Sequence, residues 1–92
     1  MVDMQRILWF QSNGNYVTIH LEDRSYLVRD SIDHLEQSLD PTRFRRVHRS
    51  AIVALDRIRE YRVLSSRDII LGLSNGAEVR ASRRFKHNLP AS

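Results

Sequence analysis

At 92 residues the chain has room for one small domain, and 41% hydrophobic with 28% charged residues describes a folded rather than a disordered polymer. The absence of Cys excludes disulfides, thiolate zinc sites and cysteine nucleophiles together. The apolar runs, such as Ile7 to Phe10, are far below the roughly 20 residues of a membrane helix. Nothing at the N-terminus reads as a signal peptide.

The net charge of +4 is unevenly placed. Lys86 is the only Lys; every other cation is Arg. Arg43, Arg45, Arg46 and Arg49 form one uninterrupted basic segment, and Arg80, Arg83, Arg84 and Lys86 form another. The remainder of the chain sums to −4. A solvated face accounts for many such runs. The preference for Arg points further, because its planar fork pairs in a bidentate way with phosphates and guanine edges. A polyanion, nucleic acid first, is the expected partner.

In chain order, Ile7-Leu8-Trp9-Phe10 suits a strand covered on both faces. Val17, Ile19 and Leu21 alternate with Tyr16, Thr18 and His20, the pattern of a half-buried strand. Ser25-Tyr26-Leu27-Val28 is a third strand. The period then lengthens: Ile32, Leu35 and Leu39 share one helical face, with Asp30 or Ser31 as N-cap and an end before Pro41. Residues 44–48 and 52–55 are apolar stretches around the first basic segment, and 58–64 reads as a strand.

Parity fixes the last hairpin. Ile69, Leu71 and Leu73 share one face, as do Ala77, Val79 and Ala81. A two-residue Asn75-Gly76 loop would place Leu73 opposite Glu78. A three-residue Ser74-Asn75-Gly76 loop places it opposite Ala77, with Gly76 supplying a positive φ. Ser12-Asn13-Gly14 repeats that tripeptide and predicts the same turn chemistry. Residues 83–87 predict a short helix capped by Ser82, before Pro90. The fold class is mainly β: small antiparallel sheets stacked in an elongated sandwich with one or two short helices, as a single domain over 1–92.

Catalytic chemistry finds no support. His20, His34, His48 and His87 lack metal-ligand spacing, and surface positions account for His20 and His34. His48 and Ser50 share a strand face, but no acid completes a triad. No catalytic residue, metal or cofactor is expected. Two segments remain: Arg43-Phe44-Arg45-Arg46-Val47-His48-Arg49-Ser50 and Ser82-Arg83-Arg84-Phe85-Lys86-His87. In each, Phe44, Val47 or Phe85 can pin the backbone while polar side chains project as donors.

These segments, the hairpin Leu73-Ser74-Asn75-Gly76-Ala77-Glu78-Val79, and the opening Ile7-Leu8-Trp9-Phe10-Gln11-Ser12-Asn13-Gly14-Asn15-Tyr16-Val17 together resemble the LytTR DNA-binding domain from about Arg6 to Leu89. The resemblance implies a cytoplasmic output domain of a bacterial transcriptional regulator, C-terminal to a receiver domain of a two-component response regulator or to a membrane sensor. It implies loops that read successive major grooves of double-stranded DNA, on paired direct repeats bound by two copies. Carried over, Asn15, Arg49 and Arg84 become base readers. Arg46, Ser50, Ser82 and His87 become phosphate contacts, with Arg83, Lys86, Ser12 and Asn13 as weaker ones. His48 is either a phosphate contact or a buried group holding its loop. The sequence departs from the family in having Ala54 where Asn is common and Phe85 where Tyr is common, and residues 1–5 are too short for the family's first strand, leaving an edge open as in an excised C-terminal fragment.

Two other readings stand beside this one. A single-strand or RNA binder needs exposed aromatics on one sheet face, whereas Trp9, Phe10, Tyr16 and Tyr26 lie in apolar runs that predict core positions. A protein-interaction module would bind no nucleic acid.

Overall fold

The computed structural model describes residues 3–89. The elements are β1 (Ile7–Asn13), β2 (Tyr16–Leu21), β3 (Ser25–Arg29), α1 (Ile32–Ser38), β4 (Phe44–His48), β5 (Ala51–Ala54), β6 (Ile58–Val63), β7 (Ile69–Leu73) and β8 (Glu78–Ala81). Short 3-10 segments cover Met4–Arg6, Leu55–Arg57 and Arg83–Asn88. The strands form two antiparallel sheets, one of order β3-β2-β1-β5-β4 and one of order β6-β7-β8. The molecule is elongated, 38 × 23 × 22 Å.

The five-stranded sheet is covered on both faces. On one, Leu8, Val47, Ala51 and Val53 meet Ile69, Leu71, Leu73, Val79 and Ala81 of the smaller sheet. On the other, Ile7, Phe10, Val17, Leu21, Phe44, Ile52 and Ala54 pack with Ile32 of α1, and Leu35 and Leu39 close the margin. Phe10 and Phe44 meet edge to face, 5.6 Å between centroids. This is why Ile7-Leu8-Trp9-Phe10 and Ala51-Ile52-Val53-Ala54 are apolar without alternation: both strands lie in the middle of the sheet with no wet face. A register shift between Ile7 and Trp9 turns Leu8 and Trp9 to the same side, which strict alternation forbids.

The helix begins at Ser31, whose Oγ accepts from the backbone N–H of His34 at 3.1 Å. Asp30 lies outside the cap and instead accepts from the Ser31 N–H and from the His34 ring. No helix among the described residues is long and apolar enough to cross a membrane.

The last hairpin has the three-residue loop that parity demands. Leu71 faces Val79, and Leu73 N–H donates to Ala77 C=O at 2.8 Å. Gly76 takes φ +89° and donates to Leu73 C=O, while Asn75 Oδ1 accepts from Ala77 N–H. A Cβ at Gly76 would touch nothing within 4 Å, so Gly76→Ala carries a purely backbone penalty. It is expected to lower stability by about 1 kcal/mol in urea denaturation.

The other expected SNG turn is different. Asn13 pairs directly with Tyr16, leaving a two-residue Gly14-Asn15 loop in which only Gly14 has positive φ, the pattern of a type II′ turn. Ser12 and Asn13 belong to β1, and Asn13 Nδ2 donates to Thr18 Oγ1 across the pair. The tripeptide is shared; the turn chemistry is not.

Two other expectations are corrected. Tyr16 and Tyr26 are 43% and 40% exposed rather than core. They face opposite sides of the sheet, since Tyr26 pairs with Ile19 and Tyr16 lies three residues away on the same strand as Ile19. They form no common stacking platform. His20 is half-buried: it stacks on Trp9 at 4.3 Å and its Nε2 meets Gln11 Oε1 at 2.9 Å. The residues before Asp3 and the helix stop at Pro90 lie outside the described residues.

Candidate nucleic-acid interface

Strand pairing decides where the turns go. β1 and β5 run antiparallel with Gln11 opposite Ala51, so β1 ends where β5 begins. Ser12 N–H donates to Ser50 C=O at 2.8 Å across that junction. The Gly14-Asn15 turn and the Arg49-Ser50 turn, which links β4 to β5, therefore leave the same end of the sheet. Asn15 and Arg49 are both exposed there.

The 3-10 segment Arg83–Asn88 is brought alongside. Ser82 N–H donates to Val47 C=O at 2.7 Å, and Asn88 Nδ2 donates to Arg46 C=O at 2.7 Å. The segment thus covers β4, one edge of the five-stranded sheet. Ser82 Oγ caps it by accepting from Arg84 N–H at 3.2 Å. Arg83, Arg84, Lys86 and His87 are exposed, while Phe85 and Asn88 turn inward against Arg46.

Arg46 is the chief correction. Expected as a phosphate contact, it is 9% exposed. Its Nη1 donates to Asp33 Oδ1 at 2.6 Å and Glu36 Oε1 at 3.0 Å, both on α1. Its Nε donates to His48 C=O at 3.1 Å and its Nη2 to Arg49 C=O. Its guanidinium carbon lies 5.8 Å from the Phe85 ring centroid. Every direction of the fork is occupied, so this cation positions the Arg49 turn rather than reaching outward. The second basic segment loses a member too: Arg80 Nη2 is held by Asp68 Oδ2 at 2.7 Å. Among the described residues, Arg49, Arg83, Arg84 and Lys86 make no side-chain hydrogen bond or ion pair within the protein.

His48 proves to be a loop-holding group. Its Nδ1 accepts from Ser50 N–H at 3.1 Å and lies 2.9 Å from Ser50 Oγ. That pattern puts the proton on Nε2 and leaves the ring neutral. Burial first, then Arg49, Arg80 and Arg46, push the His48 pKa below its ordinary value of 6.5. Burial does the same at His20. Both histidines bind protons more readily in the unfolded chain. Their contribution to stability is therefore complete above the unfolded pKa near 6.5 and disappears as pH falls through the lower folded values. Urea denaturation is expected to give a lower unfolding free energy at pH 5 than at pH 7.5. The His20→Gln, His48→Gln double variant should show a shallower dependence.

Ser50 is half-buried and its hydroxyl is engaged with His48; Ser12 is half-buried and exposes part of its surface at the same end. Gln11, which is not among the expected contact residues, and Arg80 of the second basic segment line a cleft of about 340 Å3 with Trp9, His48 and Ser50. Parity across the first hairpin was the available signal: Trp9, Gln11, Thr18 and His20 occupy one face once the register is set.

The arrangement is an exposed amide and several unpartnered guanidiniums on short, hydrogen-bonded turns at one end of a double-covered sheet. No cluster of metal-ligating side chains occurs among the described residues. Comparison with known proteins gives the same direction. The chain is 28% identical over all 92 residues to the transcriptional regulatory protein LytR of Staphylococcus aureus (strain N315), and spans 37% of that protein's length. It is 33% identical over 70 residues (76% of the chain, 30% of the relative) to the CO-responsive transcriptional regulator RcoM of Rhodospirillum rubrum. The solved LytTr DNA-binding domain of a putative methyl-accepting/DNA response regulator from Bacillus cereus superposes with a TM-score of 0.86 at 21% identity, covering 94% of this chain and 79% of that one. The sequence profile described as LytTr DNA-binding domain matches residues 1–91, and the chain belongs to that family.

Proposed function

We propose that this domain reads specific sites on double-stranded DNA as the output module of a longer transcriptional regulator. Asn15, Arg49 and Arg84 engage base edges, and Arg83, Lys86, His87, Ser82, Ser12 and Asn13 position the backbone. The observation that carries this is the convergence of the Asn15 turn, the Arg49 turn and the Arg84 segment on one end of a rigid sheet. On this reading the turns enter successive major grooves. The regulator's remaining length carries the input, a receiver or sensor domain. Two copies on direct repeats and a cytoplasmic setting complete the reading. Catalysis plays no part in it.

Selection of bound duplexes from a randomised pool tests the proposal directly. A recovered consensus with two half-sites at one fixed separation is the expected result; recovery of no consensus would sink it. Binding should weaken steeply with salt. With about five phosphates neutralised, the log–log slope is roughly −4 to −5.

A further inference from the structure

Beyond the turns that read bases, a second basic feature lies at the far margin of the smaller sheet. Tyr61, Val63 and Ile69 floor a cleft of about 300 Å3 whose remaining walls are Arg67, Arg83 and Lys86. Val63 is 63% exposed and faces the interior side of its sheet, since it pairs with Ile69, where the larger sheet no longer covers it. None of the three cations has a carboxylate partner among the described residues. The acids of the smaller sheet and its loop are engaged elsewhere. Asp68 takes Arg80 at 2.7 Å and Ser66 Oγ at 3.1 Å, while Glu60 and Glu78 pair with Arg62. Arg62 and Glu60 alternate with Tyr61 and Val63 and so project from the opposite face of β6.

Two further observations set this cleft apart from an ordinary wet surface. The segment is two short 3-10 turns joined by a kink at Phe85, and it divides its side chains. Phe85 and Asn88 form the row against Arg46, and Arg83 and Lys86 form the row lining the cleft. Arg84 and His87 belong to neither row and are exposed. The other observation is Arg67, whose φ of +71° is the only left-handed value at a non-glycine among the described residues. Gly or Asn would occupy that position with less strain. An Arg there places a cation opposite Arg83 and Lys86 at a local conformational cost.

We propose that the Arg67–Arg83–Lys86 cleft is a DNA-backbone clamp, which takes a phosphodiester of the duplex whose bases are read by the Arg49 and Arg84 side of the same segment. It rests on the DNA-binding reading above and adds Arg67 and a defined position to it. The clamp is blind to sequence, so it adds affinity and no selectivity.

The test uses a random-sequence duplex, where only backbone contacts count. Arg67→Gly is expected to bind it about eightfold more weakly at about 0.1 M salt, with a log–log salt slope shallower by about 0.9. Because glycine relieves the left-handed backbone, its thermal midpoint should not fall below that of the parent. Arg67→Lys should retain the parent slope. Unchanged affinity and slope for Arg67→Gly, while Arg83→Gln and Arg49→Ala weaken binding, would overturn the clamp and leave DNA binding intact. Weaker binding accompanied by a lower thermal midpoint would also overturn it, by making Arg67 structural. Absence of salt-dependent binding by the parent protein would remove the DNA reading itself.

Discussion

Replacing Arg46 by Ala is expected to lower the unfolding free energy by about 3 kcal/mol, a large share of the roughly 5–10 kcal/mol available to a domain this size. The magnitude follows from the environment of each bond. Asp33 and Glu36 keep 78% and 45% of their side chains exposed, so their ion pairs with Arg46 are worth no more than about 1 kcal/mol each. The carbonyls of His48 and Arg49 are different, because charged donors in a half-buried site contribute about 1.5 kcal/mol or more apiece. The thermal midpoint should fall by about 12–24 °C. Arg46→Lys should recover only a minority of the loss, since one ammonium cannot span acceptors on α1 and on the turn. Binding should weaken well below the midpoint as well, because the Arg49 turn loses its brace. Unchanged stability with weakened binding would instead restore Arg46 to the phosphate role.

The second large effect concerns recognition. Arg49→Ala and Arg84→Ala are each expected to weaken binding to the selected site by about 1–3 kcal/mol, or about 5- to 150-fold. Discrimination at the base each one reads should relax in parallel. Stability should move by less than about 0.5 kcal/mol, because both side chains are exposed and make no bond among the described residues. Asn15→Ala should behave alike on a smaller scale; Gly14 alone carries the positive φ, so the turn survives. Competition with random duplex separates the roles. Equal loss on selected and random sequences would demote the residue to a backbone contact.

Much of this architecture is legible in the chain, and the exceptions have physical causes. Ser31 and the 32, 35, 39 spacing give a helix because capping and periodicity are local. The loop at Gly76 follows from the parity of two strands and needs no tertiary knowledge. The fate of Arg46 is not local. Nothing in a run of four arginines distinguishes the one whose partners, Asp33 and Glu36, arrive from another element. The shift at Leu8 is equally silent, because a bulge inside a uniformly apolar run leaves no break in pattern. Tyr16 and Tyr26 mislead for a related reason: apolar neighbours alternate around them, but each is left exposed on a part of its face that the covering layer leaves open. Arg49 and Arg84 are visible as residue types, whereas the bond from Ser82 to Val47 that joins their two segments is revealed only by the folded chain.

The double cover of β1 and β5 has a kinetic meaning. Backbone amides in strands sealed from both sides open to solvent only when the whole domain unfolds, so deuterium should reach Phe10 and Ile52 last. The Gly14-Asn15 and Arg49-Ser50 turns are short overhangs of those slowest-exchanging strands. On the proposed reading they arrive at DNA already ordered, and association forfeits little chain freedom on the protein side.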